Sequence, residues 1–325
     1  MNAKPLNRYE LEETFQKFGY IPHINKITVA GRIDDGAKNQ LQYTRSRNCG
    51  ERLPMYRTIL EVPSPIKIGR SGMPFVSHIP IRCVGDLAEE IASQYYSAGM
   101  FVQGTGRVQN YKVEKPQFAD QRQIELLMNV LRVDDSEDKL VQEILNILDM
   151  NGQKYSRLMT TVAAQQFSLS DDGAFINEAI LQGLIYMPPS LRRTQKTNTA
   201  ALHIKMWIKR AGDIGPVPDS AAADRDIVNI MFYGENAIEL YPKLKQGYPI
   251  MVKGRLESDT YRAEINASGE QKKKIADLLG ITEQHPILEK ILTNCGIKNK
   301  LRLFIKHDIW GTSLETSNFL PEEAA

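Results

Sequence analysis

Residues 24–33 read INKITVAGRI, and residues 176–185 read INEAILQGLI. Ile24, Asn25, Gly31 and Ile33 recur as Ile176, Asn177, Gly183 and Ile185, each 152 positions later. Self-similarity at a fixed offset marks an internal repeat. Outward from this pair, IPIRCVGDLAEEIASQYYSAGMFVQGTGRV (79–108) has a counterpart in VNIMFYGENAIELYPKLKQGYPIMVKGRL (228–256). Gly85 matches Gly234 at an offset of 149, and Gly106 matches Gly254 at 148. The three blocks keep their order, and the small drift in offset is what unequal loops produce.

Each unit has one plan. A first strand ends near a glycine, and a second covers 54–62 or 200–209. A third covers 79–84 or 228–233, followed by a short helix with Leu87, Ile91 and Tyr95 on one face. Gly99 or Gly247 stands where a helix C-cap falls. A fourth strand ends at the Gly-Arg pair 106–107 or 254–255, and a fifth is read at 123–133 (QIELLMNVLRV) or 261–267 (YRAEINA). Five short strands with a helix between the third and fourth predict two tandem OB-fold barrels, a mainly β chain with helices. The expected divisions are an N-terminal helical extension (1–19), a first barrel (20–135), an acidic helical linker (136–173), a second barrel (174–268) and a helical C-terminal region with a loose tail (269–325). The Gly-, Pro- and Ala-rich run 210–225 is expected to be a mobile hairpin.

Composition bounds the function. The 325 residues carry a net charge of +2, with 42% hydrophobic and 25% charged residues, as in ordinary globular chains. Residues 20–134 carry a net +4 and 174–268 a net +2, and they flank a segment at −4, a weak hint of an anionic partner. No apolar run reaches membrane-spanning length and no secretory signal opens the chain, so a cytoplasmic protein without membrane contact is expected. Three scattered cysteines and five scattered histidines form neither a disulfide framework nor a zinc motif, and no phosphate loop or catalytic set is found. The Asp pairs at 34–35, 134–135 and 171–172 read as turn and capping residues. The chain is therefore expected to be no enzyme and to need neither cofactor nor metal.

The strand ALHIKMWIKR (201–210) separates two faces. Leu202, Ile204, Met206 and Ile208 form the core set. His203, Lys205, Trp207 and Lys209 form the outward set, where an indole between lysines suits base stacking beside phosphate contacts. The alternative is that Trp207 packs under the 210–225 loop or in a barrel–barrel contact. In the third strands Ile79, Ile81 and Cys83 face in, as do Val228, Ile230 and Phe232. His78, Arg82 and Val84 face out, as do Asn229, Met231 and Tyr233. Arg45 and Arg47, and Arg192 and Arg193, follow the first strand of each unit and are phosphate candidates. So are Arg82, the Gly-Arg residues Arg107 and Arg255, and the lysines Lys205 and Lys209.

INKITVAGRI, GDLAEEIASQYYSAG, FVQGTGRV and their second copies resemble the bacterial-type single-stranded DNA-binding proteins, over residues 20–134 and 174–268. The resemblance implies OB-fold barrels that bind single strands by stacking and charge, in assemblies of four barrels, here two chains. It implies stacking positions at Tyr233 and Tyr261 in the second barrel. In the first barrel these positions are His78 and Val84, a poorer platform that Tyr111 supplements. The tail TSNFLPEEAA lacks the dense acidic run that family members use to recruit partners. The function implied is sequence-independent binding of single-stranded DNA, with replication or recombination proteins as further partners. A binder of single-stranded RNA or structured nucleic acid and an OB-fold protein scaffold remain alternatives.

Overall fold

The computed structural model describes residues 5–7, 10, 13–14, 23–36, 40–45, 52–68, 73–171, 173–194, 197–209, 225–297 and 300–316. Within them the side chains of 40, 44–45, 66–68, 111–116, 153–158, 260–265 and 300–304 lie outside the description. Twelve strands follow in chain order: β1 (Ile24–Ile33), β2 (Gln40–Arg45), β3 (Arg52–Ile68), β4 (Pro74–Val84), β5 (Phe101–Phe118), β6 (Asn151–Leu169), β7 (Ile176–Ile185), β8 (Ser190–Arg193), β9 (Ala200–Lys209), β10 (Arg225–Tyr233), β11 (Pro249–Ile265) and β12 (Lys300–Glu315). Six described helices are α1 (Asp86–Ser93), α2 (Gln121–Leu131), α3 (Lys139–Ile147), α4 (Glu235–Leu240), α5 (Gly269–Leu279) and α6 (Pro286–Asn294).

Hydrogen bonding runs β1-β3-β4-β6-β5 and back to β1, which closes a five-stranded barrel. The β4–β6 contact is parallel, through Ile81 and Val162. The second set, β7-β9-β10-β12-β11, closes in the same way, with β10 and β12 parallel through Ile230 and Ile309. This is the OB-fold order, once per repeat. β2 and β8 are short additions to β3 and β9. The alternation read from sequence is observed: Ile79, Ile81, Cys83, Leu202, Ile204, Met206, Ile208, Val228, Ile230 and Phe232 are all buried. Burial pushes the Cys83 thiol up to about 12, so it acts as a core hydrophobe. Cys49 lies outside the described residues.

The repeat glycines have a shared cause. A Cβ at Gly31 would strike the Glu61 carbonyl, and one at Gly183 the Trp207 carbonyl. At Gly106 and Gly254 the obstacles are the carbonyls of Ala163 and Trp310. These are the crossings where one strand bends over the next, and only glycine lets the backbones approach so closely. Gly99 and Gly247 cap no helix, contrary to expectation, since α1 ends at Ser93. They have φ of 80° and 85° in the turn entering β5 or β11. There their N–H groups donate to the Ile33 and Ile185 carbonyls at 2.9 and 2.8 Å. Tyr95 is 86% exposed, and its neighbour Tyr96 fills the apolar position instead.

The two barrels join through antiparallel pairing of β1 with β7. Ile27 lies opposite Ala179, its own counterpart in the repeat, so the junction is locally two-fold. An asparagine on each of these two strands bonds to the fourth strand of its own barrel in the same way. The Asn25 side chain donates to and accepts from Val108 main chain at 2.8 and 2.9 Å. Asn177 does the same with Leu256, at 2.9 Å in both directions. The Glu257 carboxylate is fully buried and accepts from Ser64, Ser77 and Arg255 at 3.0, 2.6 and 3.3 Å. A buried charge is tolerable only when satisfied in this way.

Two sequence expectations are corrected. Residues 123–133 lie largely in α2, with Ile124, Leu127, Met128 and Leu131 at helical spacing. YRAEINA is the end of β11 rather than a strand of its own. The fifth barrel strands are β6 and β12, inside the segments expected to be the helical linker and the helical C-terminal region. Of those segments α3, α5 and α6 are helical as expected.

Compact contacts divide the chain into two units. The first holds residues 1–111, 160–259 and 307–325, and the second holds 112–159 and 260–306. The second unit has its own core of Leu127, Val141, Ile144, Ile275, Leu288 and Ile291. It is duplicated too. Asp120 and Gln123 form a capping box on α2, and Ser268 and Gln271 form one on α5, 148 positions later. Gln123 then donates to the Cys295 carbonyl at 2.8 Å, and Gln271 to the Ile147 carbonyl at 2.9 Å. The repeat thus embraces strand four, a helix pair and strand five in each half.

Candidate nucleic-acid interface

The outward face of β8, β9, β10 and β12 gathers the expected second-barrel residues. Cross-strand pairing sets Tyr233 beside Ala201, Met231 beside His203, Asn229 beside Lys205 and Ile227 beside Trp207. β8 places Ser190 and Arg192 next to His203 and Ala201. Trp310 on β12 pairs with Met231. Its ring centroid lies 4.7 Å from that of Tyr233, tilted by 50°. Both rings are half-buried, so they brace each other and stay partly exposed. Arg192 and Lys209 are exposed and Lys205 half-buried, and no outward described position on β8, β9 or β10 holds a carboxylate. Arg193 is exposed and donates to the Asn198 carbonyl at 2.9 Å, which shapes its loop.

Trp207 points to the outward side but is not open. It is 8% exposed and packs with Leu184, Tyr186 and Ile227, and Leu6 of the N-terminal segment joins the cluster. Leu6 N–H donates to the Tyr186 carbonyl at 3.0 Å, which ties that segment down. Next to it, Asn7 and Glu10 form a reciprocal cap. The His23 ring meets the indole edge-on at 5.2 Å. Burial, with the Lys209 charge second, holds His23 down to about 4. Trp207 is therefore a packing residue in this conformation, which corrects its assignment as an open stacking ring. Its alternation along β9 could not reveal cover from a segment two hundred residues away.

The first barrel differs. Arg82 is half-buried on β4, facing out opposite Arg57, and Arg107 is half-buried on β5. Val84 and Ala163 occupy the places of Tyr233 and Trp310. His78 is not free for stacking. Its Nδ1 lies 2.7 Å from Asp34 Oδ2, and Glu61 is its cross-strand partner. Arg255 is committed to Glu257 and to the Pro63 carbonyl, so it holds the barrel junction rather than meeting phosphate. Tyr111, Tyr261 and Arg45 lie on β5, β11 and β2 with side chains outside the described residues. Arg47, the 210–224 part of the expected hairpin and the tail beyond Thr316 lie outside them altogether. Sequence reasoning missed Trp310 and Arg225, whose guanidinium lies 5.2 Å from the Tyr186 ring centroid. The offset of 147 between Ala163 and Trp310 was a usable signal once the fifth strands were placed.

The fold defines a chain of two OB barrels with a duplicated helical insertion. No protein-family model matches it, and no curated protein does. Among solved structures it is similar to the single-stranded DNA binding protein of Thermus aquaticus, with 14% identity and a TM-score of 0.50 over 93% of this chain and 97% of that one. A deletion variant of the same protein gives 16% identity and 0.50 over 92% and 98%. A Synechococcus SSB domain gives 13% and 0.24 over 44% and 97%. The likeness is one of fold. No described helix is long and apolar enough to cross a membrane.

Proposed function

We propose that the chain binds single-stranded DNA without sequence preference, on the outward face of its second barrel. The observation that carries this is the braced Tyr233–Trp310 pair beside Arg192, Lys205 and Lys209, with no carboxylate at the outward described positions of β8, β9 and β10. Partly exposed aromatic rings stack bases of any kind, and the cations neutralise phosphates. Both Thermus aquaticus neighbours, which are single-stranded DNA binding proteins, support the reading at the level of fold. The first barrel contributes through Arg82 and Arg107 rather than through rings. Two chains pair to give four barrels, which sedimentation across working concentrations checks.

The test is titration with oligo-dT, read by tryptophan fluorescence at two salt concentrations. Saturable quenching that weakens with salt and is largely lost in Trp310→Phe is expected. No binding at low salt would remove the proposal and favour a protein scaffold.

A further inference from the structure

In the first barrel, the positions equivalent to Leu184, Tyr186, Trp207 and Ile227 are Arg32, Asp34, Glu61 and His78. The correspondence follows from pairing. Asp34 N–H donates to the Ile59 carbonyl as Tyr186 N–H does to that of Lys205. Glu61 pairs with Arg32 and His78 as Trp207 pairs with Leu184 and Ile227. One barrel seals this place with hydrocarbon. The other gathers one imidazole and two carboxylates, whose ligand atoms all lie within 4.8 Å of one another.

We propose that Asp34, Glu61 and His78 bind a divalent transition-metal ion, of which zinc is the type. Mixed nitrogen and oxygen donors suit a borderline ion of this kind. All three residues are half-buried, so the ligands hold their directions while the site stays accessible. Their supports are specific. Gly36 N–H donates to Asp34 Oδ1 at 2.6 Å and leaves Oδ2 turned to His78. The His78 main chain is pinned on both sides, its N–H by Ser258 Oγ at 3.0 Å and its carbonyl by His307 Nε2 at 2.9 Å. The ligands come from the end of β1, from β3 and from β4, so the ion would clasp three strands. Two carboxylates stand close together here, and Arg32 across the strand makes no ion pair with either among the described residues. A cation answers that charge. Three protein ligands also leave a coordination position open. If the strand-binding reading holds, that position lies on the outward face where a phosphate oxygen can reach it.

The chelator-treated full chain is titrated with zinc chloride by calorimetry. One ion per chain is expected, with a rise in Tm, and Glu61→Gln and His78→Gln should each weaken binding by about tenfold or more. No saturable binding to the wild-type chain, or binding undiminished in both variants, overturns the proposal. Should either variant fail to fold, acylation of the wild-type histidines with diethyl pyrocarbonate decides. Zinc protection of His78 supports the site, and unchanged modification of His78 overturns it. None of these readouts uses DNA, so they stand or fall apart from the strand-binding proposal.

Discussion

The two barrels share strand order, crossing glycines and junction asparagines, yet their outward faces have diverged position by position. Where the second places Tyr233, Trp310 and Lys205, the first has Val84, Ala163 and Ile59. Where the second is plugged by Leu184, Tyr186, Trp207 and Ile227, the first carries Arg32, Asp34, Glu61 and His78. The positions that stayed alike are those that close the barrels and join them. Their constraint is backbone approach and buried hydrogen bonding, which hold for any ligand. The outward positions carry no such constraint, so each half could acquire its own chemistry.

This contrast can be broken experimentally. The largest effect is expected from Trp207→Ala, which empties a packed site and should cost about 3–5 kcal/mol of stability. Urea unfolding measures it, and oligo-dT affinity of the folded variant should change less than about twofold. A large affinity loss with intact stability would return Trp207 to the binding face. Next comes Trp310→Ala, expected to weaken oligo-dT binding by about 1–3 kcal/mol, the worth of one stacked base. Equal affinity for wild type and variant would show that the braced pair is not the platform. The reverse experiment gives the first barrel the rings of the second. Val84→Tyr with Ala163→Trp should tighten binding by roughly 1 kcal/mol. Lys205→Ala should lower the slope of log affinity against log salt by about 0.7, one phosphate contact on a single strand.

The smallest effect is a pH dependence. His23 has its pKa held down to about 4 in the fold, against 6.5 when unfolded. Between those values the unfolded chain takes up the proton first, so stability should fall as pH drops from about 6.5 toward 4 and level off below. The Tm of His23→Gln should be flatter across that window, and an identical profile would remove His23 as a cause.

Much of the fold was legible because its constraints are local. The bounds of β1 and β7 and the inward sets of β4, β9 and β10 follow from two-residue alternation and repeated glycines. α2, the first helix of the pair between strands four and five in the first half, was not read, because QIELLMNVL is short enough to pass for a strand. Its capping box at 120–123, matched at 268–271, was the local signal that would have corrected it. Of the candidate site, Tyr233 and the lysines were visible on their strands. Trp310 was hidden because β12 was expected to be helical. The grouping of Asp34, Glu61 and His78 depends on three separate strands and has no spacing signature.

The β1–β7 junction has a kinetic meaning as well. Its two edges belong to one polypeptide, so they meet in a first-order event whose rate and equilibrium do not depend on how much protein is present. A pair of barrels on separate chains would come apart on sufficient dilution, whereas this pair persists down to a solitary molecule.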